Sequence, residues 1–189
     1  MNNIEILAYL DSVRHLYSGG VPLDLLGGVS NNDLASDKLA ESRGSKELIV
    51  AGNLEGSLTL IVVEADLSAD SSGVPFVGKT GELLRNIIEK GLKMDLLQVC
   101  VIASKDTSTL EKHLNGALMQ KLKSTTILVM GRAAGHTLLK AEIAENQLGR
   151  FHKLDGSHVL VTYSLSEVGS SATKKRLFWN HLKSVMERL

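Results

Sequence analysis

Apolar positions along this chain change period, and the change marks its organisation. Ile4, Leu7, Leu10, Val13 and Leu16 recur at helical spacing and predict an amphipathic helix over residues 3–17. Gly19-Gly20 stops it and Pro22 follows. Residues 27–46 are rich in Gly, Ser, Asn, Asp and charge, which reads as a linker with a short helix over 33–41. The expected division is therefore a helix and linker over 1–45 and a compact domain over 46–189.

Inside that domain four apolar runs read as strands: Leu58–Val63, 99–103, Thr126–Met130 and 158–162. The first and third are almost continuously apolar and rich in β-branched residues, as strands covered on both faces are. Helical patterns alternate with them at 81–91, 109–123, 133–144 and 172–189. Alternation of this kind predicts an α/β fold: a three-layer α/β/α sandwich around a four-stranded parallel sheet.

The densest stretch runs over residues 58–84, LTLIVVEADLSADSSGVPFVGKTGELL. It reads as a buried strand, a polar loop, a Gly/Pro/Phe turn and a helix start. In a parallel sheet that order puts a ligand site at the strand's carboxyl end. Gly73, Gly78, Lys79 and Thr80 satisfy GxxxxGK[ST], the phosphate loop of nucleotide hydrolases. That loop needs its first glycine at the strand end and amides converging on phosphates. Here Gly73 lies well beyond Val63, the interior is the bulky Val74-Pro75-Phe76-Val77, and neither Gly131 nor Tyr163 supplies a second acid for magnesium. P-loop-like nucleotide binding stays an alternative.

Composition narrows the classes. Hydrophobic residues make up 43% of the chain, enough for a real core, and the formal net charge is +0, so there is no bulk positive field for nucleic acid. The single cysteine, Cys100, excludes an internal disulfide and a four-cysteine iron–sulfur site. It lies in an apolar strand and reads as a small core residue. The six histidines show no metal-ligand spacing, so neither metal nor cofactor is expected. With no signal-peptide pattern and no long apolar stretch, the expectation is a cytoplasmic protein without membrane contact.

Several segments, in order, resemble the uracil-DNA glycosylase superfamily, especially its small iron–sulfur branch. Ala51-Gly52-Asn53 and the run Leu58 to Ala65 are similar to its first strand and GEAPG loop. Gly73 to Gly78, with Gly81 and Leu83-Leu84, resembles its GxPFVGxAGxLL segment. Ile127 to Met130 with Gly131 and Ala134 resembles its strand ending in LGxxA. Gly149, Gly156, the strand before Tyr163 and the helix through Trp179 and Leu182 resemble its end. The resemblance covers roughly residues 48–189 and implies hydrolysis of the N-glycosidic bond to uracil in DNA.

The resemblance also implies roles. Phe76 would stack on the flipped base, and Glu64 is the acid of the first loop, followed by Ala65. Ser166 is the retained serine of the last motif. The departures are as clear. Val63 replaces the glycine before the acid, and Asp66-Leu67 replaces the Pro-Gly of the water-holding turn. The base-reading amide falls near Ala103, the histidine and proline fall on Ser164 and Leu165, and the cluster cysteines are absent. Alanine cannot read a polar base edge, and serine cannot do an imidazole's electrostatic work.

The expected function is therefore a catalytically degenerate glycosylase-like protein with weak DNA or nucleobase binding. An active glycosylase of altered specificity, using Glu64 or Asp66, is the alternative, and a pure protein-interaction domain is a further one. Lys174, Lys175 and Arg176 on the last helix are candidate phosphate contacts for single-stranded or uracil-containing DNA. The N-terminal helix offers a surface for a protein partner. The plainer readings are that Phe76 packs the core, Glu64 caps a helix and the basic helix face is merely solvated.

Overall fold

The structure, a computed structural model, describes residues 48–114 and 117–189. The expected helix over 3–17, the linker and the boundary at 45/46 lie outside these residues.

Six strands make one sheet in the order β1-β3-β2-β4-β6-β5. They are β1 (Leu48–Gly52), β2 (Leu58–Val63), β3 (Val99–Ser104), β4 (Thr126–Met130), β5 (Phe151–Leu154) and β6 (Ser157–Thr162). The four runs read from sequence are the parallel centre, β3-β2-β4-β6. The expected count of four is corrected to six, because β1 and β5 add antiparallel edges on β3 and β6. β5 joins β6 through a tight hairpin in which Asp155 (φ 47°) and Gly156 (φ 87°) both take the left-handed conformation, as a type I′ turn requires.

The central strands are apolar on both faces because both are covered. Leu58, Leu60 and Val62 of β2, with Val101, Leu128 and Leu160, pack under α1 (Gly78–Asn86) and α6 (Ala172–Met186). Ile61, Ile102, Val129 and Val161 pack under α2 (Thr107–Leu114) and α4 (Arg132–Leu139) on the other face. Each such buried side chain contributes about 1.5–3 kcal/mol against exposure. The short helices α3 (Ala117–Lys121) and α5 (Leu165–Ser170) are the other α-helices among the described residues. Beyond α1 the chain widens into a π-helical stretch, Ile87–Leu92, where Gly91 lies against the Trp179 ring with no room for a Cβ.

β2 leads to β3 on one side, whereas β4 leads to β6 on the other. The sheet therefore switches direction between β2 and β4, where doubly wound folds open a crevice at the strands' carboxyl ends. Among the described residues no helix is long and apolar enough to cross a membrane.

Candidate functional site

A cleft of about 260 Å³ lies at this switch point. Val63 ends β2 on one side of it, Met130 and Gly131 end β4 on another, and Ser164 and Glu167 close it from α5. Arg132, Ala133 and Ala134, the first turn of α4, form its floor. Gly131 has φ 104°, a conformation closed to other residues, and its missing side chain leaves Ser164 directly opposite.

The rim of the cleft is a set of helix caps. Ser164 is the N-cap of α5: its hydroxyl accepts from the Glu167 N–H (3.3 Å), and Glu167 Oε2 accepts from the Ser164 N–H (3.0 Å). This is a capping box, which satisfies two otherwise orphaned amides. Glu64 adds a third contact, its Oε1 accepting from the Ser166 N–H at 2.9 Å. The Ser164 and Ser166 hydroxyls lie 3.0 Å apart. Three residues singled out from sequence, Glu64, Ser164 and Ser166, thus do come together, joined by hydrogen bonds at the start of α5.

Glu167 also accepts from Lys174 Nζ at 2.6 Å. Burial pushes the Glu167 carboxyl up, but the bonds from Lys174 and Ser164 outweigh it and leave it below its usual value. The same bond holds Lys174 above the ordinary lysine value. Lys174 further lies 5.5 Å from the Tyr163 ring, whose other neighbour is the His181 imidazole, stacked at 5.9 Å. His181 Nδ1 bonds the Thr162 hydroxyl (2.8 Å), and burial holds this imidazole below its ordinary value. Of the three expected phosphate contacts, Lys174 is engaged within the domain, and Lys175 and Arg176 are exposed.

The other candidates stand apart. Asp66 is exposed and accepts from the Thr80 hydroxyl at 2.5 Å, tying the loop to the first turn of α1. Ala65 is exposed. Ala103 is fully buried among apolar side chains on the α1 side and does not line the cleft. Phe76 is half-buried against that same core, and the Arg85 guanidinium lies over its ring, 5.0 Å from the centroid. Cys100 is buried in β3, which pushes its thiol up to about 11.

The GKT segment is not arranged as a phosphate loop. Asp70 Oδ1 accepts from the Ser72 and Val74 amides, Asp70 O accepts from Gly73 N–H, and Phe76 N–H is bonded to Val74 O. The Gly73, Val74 and Phe76 amides are thus spent inside the loop, and the Thr80 hydroxyl that would hold magnesium donates to Asp66.

Reading by sequence missed Glu167, Arg132, Arg85 and the Thr162–His181 pair. Ser164-Leu165-Ser166-Glu167 is a capping-box pattern and was readable. The other three depend on which residues the fold sets side by side.

The sheet order, the flanking helices and the crevice define an α/β/α domain with a cleft at the carboxyl ends of its parallel strands. Within that class the family is specific. The sequence model of the uracil DNA glycosylase superfamily matches residues 52–183, more than half of the chain, and the chain belongs to that superfamily. A search of curated proteins found no match.

Proposed function

We propose that this chain is a superfamily member that has given up uracil excision and retains weak binding of single-stranded DNA or an unpaired base. The observation that carries the reading is the use of Glu64 as a cap: its carboxylate holds the Ser166 N–H. One of its two oxygens is thereby committed to the helix start, and a residue that positions water for attack on a sugar carbon must direct its carboxylate at that water. The supporting observations agree. The Asp66 carboxylate accepts from Thr80, Ser164 is bound into a capping box, and Ala103 is sealed in the core. A neutral serine stabilises a departing uracil anion far less than an imidazole does. Lys175 and Arg176, both exposed on α6, supply phosphate contacts.

The test is uracil release from single- and double-stranded DNA by purified protein. The expected result is none under conditions where a competent glycosylase finishes. Release at or above one equivalent, lost in Glu64→Gln, would overturn the reading. It would favour an active glycosylase of altered specificity, for which the cleft of about 260 Å³ beside Ser164 is the favouring observation.

A further inference from the structure

Phe76 is fixed by α1 in an unusual way. A Cβ on Gly81 would lie 2.4 Å from the Phe76 carbonyl carbon and 2.8 Å from its Cα, so this glycine lets the Phe76 backbone rest on the helix. Arg85 is one turn further along the same face. From there its guanidinium carbon sits 5.0 Å from the centroid of the Phe76 ring. Glu82, three residues before Arg85 on α1, and Glu89, in the π-helical stretch that follows, are exposed. Neither pairs with it: the ion pairs found among the described residues are Lys123–Glu55 and Lys174–Glu167. The guanidinium rests on the ring and makes no ion pair with either carboxylate.

We propose that Arg85 is the resident occupant of the Phe76 ring face, and that single-stranded nucleic acid binds by exchange. A backbone phosphate takes the guanidinium, and an unpaired base takes the ring. The inference rests on the reading of this chain as a nucleobase binder and assigns Arg85 a role in it. Exchange runs downhill on general grounds. A cation over an aromatic face at an exposed site is worth about two- to fivefold in affinity. A base stacked on an aromatic ring is worth about five- to more than a hundredfold, and phosphate matches the planar guanidinium fork through paired hydrogen bonds. A ligand lacking phosphate displaces the cation without giving the guanidinium a new partner, so the arrangement favours a strand over a free nucleoside.

The experiment uses the full chain with three probes: thymidine, a short oligothymidylate, and an abasic strand of equal length. Arg85→Ala should raise thymidine affinity about two- to fivefold in an NMR titration, because the ring is uncovered. It should also flatten the salt dependence of oligothymidylate binding by about 0.7 in log–log slope, the loss of one phosphate contact on a single strand. Phe76→Leu should remove the preference for oligothymidylate over the abasic strand. If that variant does not fold, the same comparison in the unsubstituted chain reports whether a base contributes. A base-dependent preference with thymidine affinity and salt slope both unchanged in Arg85→Ala overturns the exchange and leaves base binding standing. Equal binding of the thymidylate and abasic strands, or no binding, removes the base-binding reading and the exchange with it.

Discussion

Gly81 is the sharpest test of how α1 holds the Phe76 loop. It lies inside the helix, where alanine is preferred over glycine by about 0.8–1.0 kcal/mol. Propensity alone therefore makes Gly81→Ala stabilising. The structure reverses the sign. The new Cβ would meet backbone carbon at 2.4 Å where ordinary contact begins at 3.4 Å, so Phe76 must retreat by about 1 Å. That retreat drags a loop containing buried Pro75 and the half-buried ring, and overpacking of this kind costs about 1–3 kcal/mol. Gly169, in α5, is the internal control: a Cβ there meets nothing within 4 Å. Gly169 lies in the last turn of its short helix, so its propensity gain is no larger than that at Gly81, and a lower stability for Gly81→Ala reports the clash. In urea titration Gly81→Ala should fall below Gly169→Ala by about 1–3 kcal/mol, and melting temperatures should separate by about 2–12 °C. Equal stabilities would refute the close approach of the loop to the helix.

Two further outcomes follow from the site. His181 is held by burial below its ordinary value of 6.5, so the unfolded chain takes up a proton that the folded chain resists. Stability is then unaffected well above pH 6.5 and declines as pH falls from 6.5 toward the folded value; His181→Gln, measured by denaturation across that window, should remove this part of the slope, and an unchanged slope would contradict it. ATP or GTP with magnesium should leave the melting temperature where it is, although a ligand at 100 times its Kd would add about 2.7 kcal/mol; a clear rise that disappears in Lys79→Ala would restore the phosphate-loop reading.

The parallel centre of the sheet was legible because its strands are covered on both faces and so read as unbroken apolar runs. The two edges were not. β1 is five residues beside a polar stretch and is only partly buried. β5 carries His152 and Lys153 in a four-residue strand, too short and too polar to show a period. Its signal was the Asp155-Gly156 pair, the dipeptide that favours a type I′ hairpin. Helix α5 was hidden by its length and its Gly169-Ser170 end, although its capping box was written in the sequence. In the site, Glu64 was found by its place after β2, but its partner, Ser166, is 102 residues away. The status of Lys174 was equally out of reach, since composition shows a lysine and only the fold shows Glu167 beside it. Phe76 was found as an aromatic in a turn, and the cation covering it could not be, because Arg85 is one of several exposed charges on α1.

The capping box at Ser164 sets a stability cost on substitution at this position. A histidine placed there would remove the hydroxyl that accepts from the Glu167 N–H, and losing an N-cap of this kind costs about 0.5–2 kcal/mol. Glu64, turned back toward water, would release the Ser166 N–H as well. Either change thus removes an amide's partner at the start of α5 and lowers stability. Helix α5 thus ties the choice of residue at positions 64 and 164 to the stability of the fold.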